Sequence, residues 1–274
     1  MRSSSPSHAP RLFDRTLLRR RLDRAAPRFG EADFLKRRSA EDLVDRLDDL
    51  MRPFPVAVDL GARTGVFTDV LRASPARELI GTLISADPSE RMLAGLSPAV
   101  VMDEERSAFR PGSLDLIVST LALHATNDLV GALVQIRRSL KPGGLFLGAM
   151  FGGGTLFELR RALMTAEASQ RGGAGLRVAP FADPQDVPSL LQRAGLRDVS
   201  LMVDSVAVRY RDLTSLTADL RRMGETSVLI DRTRLPLTRS LLAEAERVYA
   251  AEFGQDGKLP ATFDILLLTG WAPS

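Results

Sequence analysis

Val58-Asp59-Leu60-Gly61-Ala62-Arg63-Thr64-Gly65 places a carboxylate at the end of an apolar run and two glycines where the backbone must turn into a helix. The run begins at Val56, behind Pro53 and Pro55, and reads as a first strand. A helical stretch follows to about residue 73, and residues 79–86 form a second apolar strand that ends at Asp87. Strand, helix and strand in that order predict a right-handed crossover. The rhythm continues through a helix near 89–95, strands at 99–102 and 114–119, a helix over 128–140 and a strand over 145–150. Five strands alternating with helices predict an α/β fold with a doubly wound, Rossmann-like parallel sheet. Beyond Thr155 the pattern gives a helix to about 169, a loop rich in glycine and proline, a helix over 184–194 and a strand around 199–208. A mostly helical insertion around 212–253 and a last strand at 263–268 complete it. The expected organisation is a basic tail with helices over 1–50, then one domain over 51–274.

Composition narrows what such a sheet can host. The 274 residues are 45% hydrophobic and 26% charged, the balance of a globular chain with a real core. Cysteine is absent, which excludes disulfides, thiolate metal sites and a cysteine nucleophile. The only histidines, His8 and His124, offer no obvious metal triad, so no metal site is expected. Of 37 basic side chains only Lys36, Lys141 and Lys258 are lysines, and the pI of about 9.8 overstates a net charge of +3. Eight arginines and two aspartates fall within residues 1–28, so basicity is concentrated at the start. An Arg-rich, acid-poor start is what a transit peptide has, but 13–28 also reads as an exposed charged helix suited to an acidic partner. Phe13 and Phe29 merely bracket the basic run; without interleaved aromatics, no nucleic-acid partner is expected. No run of about 20 apolar residues occurs, and no integral membrane segment is expected.

The chemistry-bearing residues fall at strand ends, the edge where open α/β sheets bind ligands. Asp59 ends the first strand and Asp87 the second, Asp103 and Glu104 follow the third, and Ser119 ends the fourth. Asp87 has two oxygens for two ribose hydroxyls, and Asp103 or Glu104 can accept from an adenine amino group. Successive carboxylates repel a phosphate and tolerate a sulfonium cation, so an uncharged nucleoside with a cationic centre suits this edge. Each aspartate alone reads equally as a helix cap; their joint order along three strands is the specific signal. A nicotinamide-linked dehydrogenase needs Gly-x-Gly-x-x-Gly at the first turn, which 59–65 lacks.

This arrangement, together with Leu140-Lys141-Pro142-Gly143-Gly144 before the fifth strand, resembles the class I S-adenosylmethionine-dependent methyltransferases. Their loop reads acidic-x-Gly-x-Gly-x-Gly, matched here by Asp59, Gly61 and Gly65, with Arg63 at the middle glycine. The resemblance implies S-adenosyl-L-methionine as cofactor and a seven-stranded sheet, mostly parallel with an antiparallel last strand. Two readings of Arg63 stand open: its side chain crowds the methionine part of the cofactor, or it points outward and pairs with the cofactor carboxylate.

Further segments narrow the likeness: Phe13-Asp14-Arg15, Leu123-His124-Ala125-Thr126-Asn127-Asp128-Leu129, Gly152-Gly153-Gly154-Thr155, Glu158-Leu159-Arg160, Met223-Gly224-Glu225 and Leu259-Pro260-Ala261-Thr262-Phe263. They resemble the mitochondrial respiratory complex I assembly-factor methyltransferase-like proteins and their bacterial relatives, neighbours of the biotin-pathway malonyl-carrier-protein O-methyltransferases. The likeness runs from Phe13 to Trp271. It departs at Ala125, where the family's usual tryptophan is missing and the pocket mouth is opened. The family implies a protein-borne substrate, an iron–sulfur subunit of respiratory complex I among them. Because the mitochondrial member is associated with arginine hydroxylation, methyl transfer, hydroxylation with an outside oxidant, O-methylation of a carrier-bound acid and a weakly catalytic assembly role all stay open. Arginine-over-lysine usage suits a bacterial, cytoplasmic protein; a eukaryotic one would sit in the mitochondrial matrix.

On the substrate side, His124 follows the fourth strand, where an imidazole suits a general base or a hydrogen-bond partner for substrate, with a packed core histidine as the alternative. Asn127 and Asp128 open the next helix, where capping competes with substrate contact. Thr155 starts a helix whose amides suit a carboxylate, and Glu158 and Arg160 lie on that helix near the expected rim. Residues 169–180 read as a mobile lid or a surface loop over the cleft.

Overall fold

The structure, a computed structural model, describes residues 11–233 and 236–274. His8 and the front of the basic segment lie outside the described residues. Seven strands form one sheet: β1 (Phe54–Leu60), β2 (Ile80–Asp87), β3 (Ala99–Val101), β4 (Leu114–Thr120), β5 (Leu140–Phe151), β6 (Arg197–Tyr210) and β7 (Leu259–Trp271). Their order is β3-β2-β1-β4-β5-β7-β6. β7 runs antiparallel to both β5 and β6, and the other neighbours pair in parallel. The chain changes direction across the sheet between β1 and β4, so a crevice forms at the carboxyl ends of those two strands.

Side chains alternate along the central strands. Ala57, Leu116, Val118 and Leu147 face one layer, whereas Val58, Ile117 and Phe146 face the other. The first layer holds α2 (Phe34–Leu50), α3 (Val66–Arg72), α5 (Phe157–Arg171), α7 (Leu213–Arg222) and α8 (Arg239–Phe253). The second holds α4 (Leu129–Ser139) and α6 (Val187–Arg193). A third, smaller cluster closes the carboxyl edge: Leu18 and Leu22 of α1 (Arg15–Ala25) pack with Phe13, Phe29, Val66 and Leu229. Helix starts follow the side chains that can satisfy free amides, with Asp14, Asp128, Asp212 and Thr238 each accepting from a first-turn N–H.

Three expectations need correction. Residues 89–95 form turns rather than a helix, because a segment caught between Pro88 and Gly95 is too short to nucleate one. The 212–253 insertion is mostly helical, as two helices separated by a non-helical stretch, and Gly224, at φ +78°, ends the first. The basic N-terminal helix is no free arm, since its leucine stripe is buried and Arg15 reaches across the sheet edge. Residues 172–180 are likewise a pinned wall: Glu167 accepts from Gly175 N at 2.8 Å and from Arg177 Nε at 2.8 Å, and Arg160 Nη2 donates to Ala179 O at 3.1 Å. No helix among the described residues is long and apolar enough to cross a membrane.

Candidate functional site

The loop after β1 is shaped by left-handed backbone at three alternate positions: Gly61 at φ +77°, Arg63 at +53° and Gly65 at +84°. A Cβ on Gly61 would come within 2.2 Å of the Ala122 methyl, so only glycine fits there. Arg63 adopts the same conformation at a cost that non-glycine residues bear. Its side chain is turned inward and almost fully buried. Nη1 donates to Asp87 Oδ2 at 2.8 Å and lies 3.8 Å from Glu104 Oε1, while the Arg63 backbone N–H also donates to Asp87 at 3.0 Å. The other Asp87 oxygen accepts from Ser89 N at 2.8 Å. Arg15, from α1, grips Asp103 through Nε and Nη2 at 3.1 and 2.8 Å, touches Glu104, and donates to Ala125 O at 2.9 Å. Both open readings of Arg63 are thereby replaced by a third: it lies inside the strand-end site, on Asp87.

Asp59 is completely buried and neither carboxylate oxygen has a hydrogen-bond partner. Burial pushes its carboxyl up to about 6 against the pull of nearby Lys36. Lys36 is itself held down to about 8, mainly by burial, and its Nζ donates to the carbonyls of Gly61 (2.8 Å) and Thr120. Ser119 Oγ, Thr120 Oγ1 and Glu104 Oε1 are also buried without hydrogen-bond partners. A row of orphaned acceptors and hydroxyls above a glycine loop is costly unless a ligand uses it. In donor set and charge it fits a nucleoside bearing a positive centre, provided the Arg63 guanidinium leaves Asp87.

Beyond the end of β4 lies the second part of the site. His124 Nε2 is 3.0 Å from Glu225 Oε2, its Nδ1 is unpartnered, and its ring packs against Phe151 and Phe181 at 4.8 and 5.8 Å. Burial works to raise the Glu225 carboxyl, but His124, Arg63 and Lys36 outweigh it and hold the group below its usual range. His124, Ala125 and Glu225 line a cavity of about 330 Å³ enclosed by α5, α7, α8 and the 172–180 wall.

Several sequence-derived candidates point elsewhere. Asn127 is spent on the N-terminal segment: Oδ1 accepts from Leu12 N and Phe13 N at 2.8 and 2.7 Å, and Nδ2 donates to Phe13 O at 3.1 Å. Its neighbour Asp128 caps α4 through Gly131 N. Thr155 is tied to the Asp264 backbone, and Glu158 is buried on Thr262, whose hydroxyl and N–H donate to it at 2.5 and 3.2 Å. Glu158 therefore clamps α5 to β7, and Thr155 ties the turn before α5 to the same strand. Arg160 acts at one remove, by pinning Ala179 of the cavity wall. Glu225 is the functional candidate that spacing missed; the glycine before it is the signal that the chain leaves the helix there.

Residues 13–201 match the model of a methyltransferase domain family. Among curated proteins, the mitochondrial arginine-hydroxylase NDUFAF5 of Homo sapiens is 38% identical, over 98% of this chain and 79% of its own length. A malonyl-[acyl-carrier protein] O-methyltransferase of a Methylovorus strain is 32% identical, over 96% and 90%. Among solved structures, the YcgJ protein of Bacillus subtilis shares the fold, with a TM-score of 0.57 at 15% identity over 86% of this chain and 99% of its own. The chain belongs to the methyltransferase domain family, in the branch that contains the mitochondrial NDUFAF5 proteins.

Proposed function

We propose that the protein is an S-adenosylmethionine-dependent methyltransferase acting on a protein-borne substrate. The observation that carries this reading is Asp59, a buried carboxylate with two orphaned oxygens at the end of β1, in line with Asp87 and Glu104. In this reading Asp87 takes the ribose hydroxyls, Glu104 and Asp103 stand at the adenine end, and Asp59 with Ser119 lies toward the methionine portion. When bound, the cofactor supplies an electrophilic methyl carbon. The chain's own contribution is positioning and one proton acceptor. With Nε2 donating to Glu225, the His124 Nδ1 lone pair is directed to receive a proton from the attacking group, and Glu225 holds the tautomer. His124 is thus the catalytic base of this reading, and Glu225 its positioning residue.

A protein-borne acceptor is favoured by the absence of a closing indole at Ala125 and by the similarity to NDUFAF5. By the same reading the partner is an iron–sulfur subunit of respiratory complex I. The compartment would be the bacterial cytoplasm, or the mitochondrial matrix for a eukaryotic chain. The test uses methyl-labelled S-adenosylmethionine in a lysate from cells lacking this chain. Label in a discrete protein band with the added protein, lost with His124→Asn, supports the reading; label only in a small soluble product contradicts the protein-borne acceptor.

A further inference from the structure

The cavity over His124 carries a charge that proton transfer does not use. Its wall is aliphatic, built largely from Leu156, Leu159, Leu163, Leu220 and Leu242. Set into the same wall are Arg21, Arg221 and Arg232. Among the described residues, no carboxylate forms an ion pair with any of these three; Arg232 donates only to Leu229 O at 2.8 Å. Arg21 Nη1 is buried with no hydrogen-bond partner. Burial, then the charges of Arg232 and Arg24, hold the Arg21 guanidinium below its usual range, with Asp14 alone acting the other way. The one carboxylate lining the cavity, Glu225, is committed to His124.

A buried guanidinium nitrogen without a partner is destabilising, and an anion that accepts from its planar fork removes that cost. Aliphatic walls beside such a group select a ligand with two unlike ends. We propose that this cavity binds an anionic amphiphile, with an aliphatic chain against the leucines and a carboxylate or phosphate head on Arg21 and its neighbours. The proposal rests on the reading of this cavity as the acceptor chamber and makes the acceptor group anionic. A cationic side chain would face Arg21, Arg221 and Arg232, none of which is ion-paired to a carboxylate among the described residues.

The test is calorimetric titration of the full chain with decanoate, decyl phosphate, decanol and decylamine below their aggregation concentrations. S-adenosylmethionine is titrated into the same preparation as an independent check on the strand-end site. One of the anions is expected to bind about tenfold or more tightly than decanol, and decylamine to give no binding; the tighter of the two anions identifies the head group. Arg21→Gln is expected to remove that advantage and leave decanol unchanged. Arg221→Gln, at an exposed position, repeats the test without disturbing a buried group. The proposal is overturned if no anion binds, if decanol matches the anions, or if both variants retain full anion affinity. Failure of the cofactor titration alone would overturn the methyltransferase reading and leave anion binding standing.

Discussion

Arg63 Nη1 lies 2.8 Å from Asp87 Oδ2, in an ion pair whose side chains are only 3% and 0% exposed. The loop residue thus takes up the acceptor that the proposed ribose site requires. Release of the guanidinium is a conformational cost that any ligand must meet before it binds. Arg63→Gly removes that occupant and relieves the left-handed backbone at φ +53°. S-adenosylmethionine is expected to bind this variant about tenfold more tightly than the parent in calorimetry. Weaker binding would make Arg63 part of the ligand-bound site instead.

The same pair governs stability. Asp87→Ala strands a buried guanidinium and is expected to cost about 3–5 kcal/mol in urea unfolding. Adding Arg63→Gly should recover most of that loss, giving a coupling energy well above the additive expectation. Strict additivity would show that the two side chains do not act as a unit.

Asp59 sets a pH dependence. Its folded carboxyl titrates near 6, above the 3.8 of an unfolded aspartate, so the native state binds the extra proton between those values. Stability contributed by this group is therefore full below about 4 and is lost as pH rises through 6. Asp59→Asn should match the parent near pH 4 and exceed it by about 1–3 kcal/mol near pH 7, measured by denaturant unfolding. A constant difference across that range would mean that Asp59 is charged throughout.

Much of the site's frame is local chemistry and was legible in the chain. An apolar run ending in Asp59, a glycine-bearing turn and a second run ending in Asp87 place those groups on one edge, because strand ends and helix starts are set within a few residues. The inward turn of Arg63 was not legible, since a left-handed residue can send its side chain to either side and tertiary packing decides. His124 and Glu225 lie 101 positions apart, so no spacing rule joins them. Glu158 falls in the first turn of α5 as the pattern suggests, whereas Thr155 lies in the turn before that helix, and neither faces the neighbour that spacing assigns it. β7 extends from Leu259 through Trp271, longer than its apolar centre suggests, and its Thr262 and Asp264 claim both side chains.

That assignment separates structure from binding. Glu158→Ala removes a buried acceptor from Thr262 and is expected to lower stability by about 1–3 kcal/mol. Affinity for S-adenosylmethionine, measured on the folded variant, should be unchanged. A selective loss of affinity with unaltered stability would return Glu158 to the site.

Calorimetric titration of the full chain with S-adenosylmethionine, with NAD as the control ligand, tests the strand-end site most directly. The account predicts one S-adenosylmethionine per chain, tighter binding to Arg63→Gly, and weaker binding by about 1.5–3 kcal/mol once Asp87 is also replaced by alanine in that background. NAD should give no binding. Failure of both the parent and Arg63→Gly to bind S-adenosylmethionine, or equal affinity with and without Asp87, would contradict it.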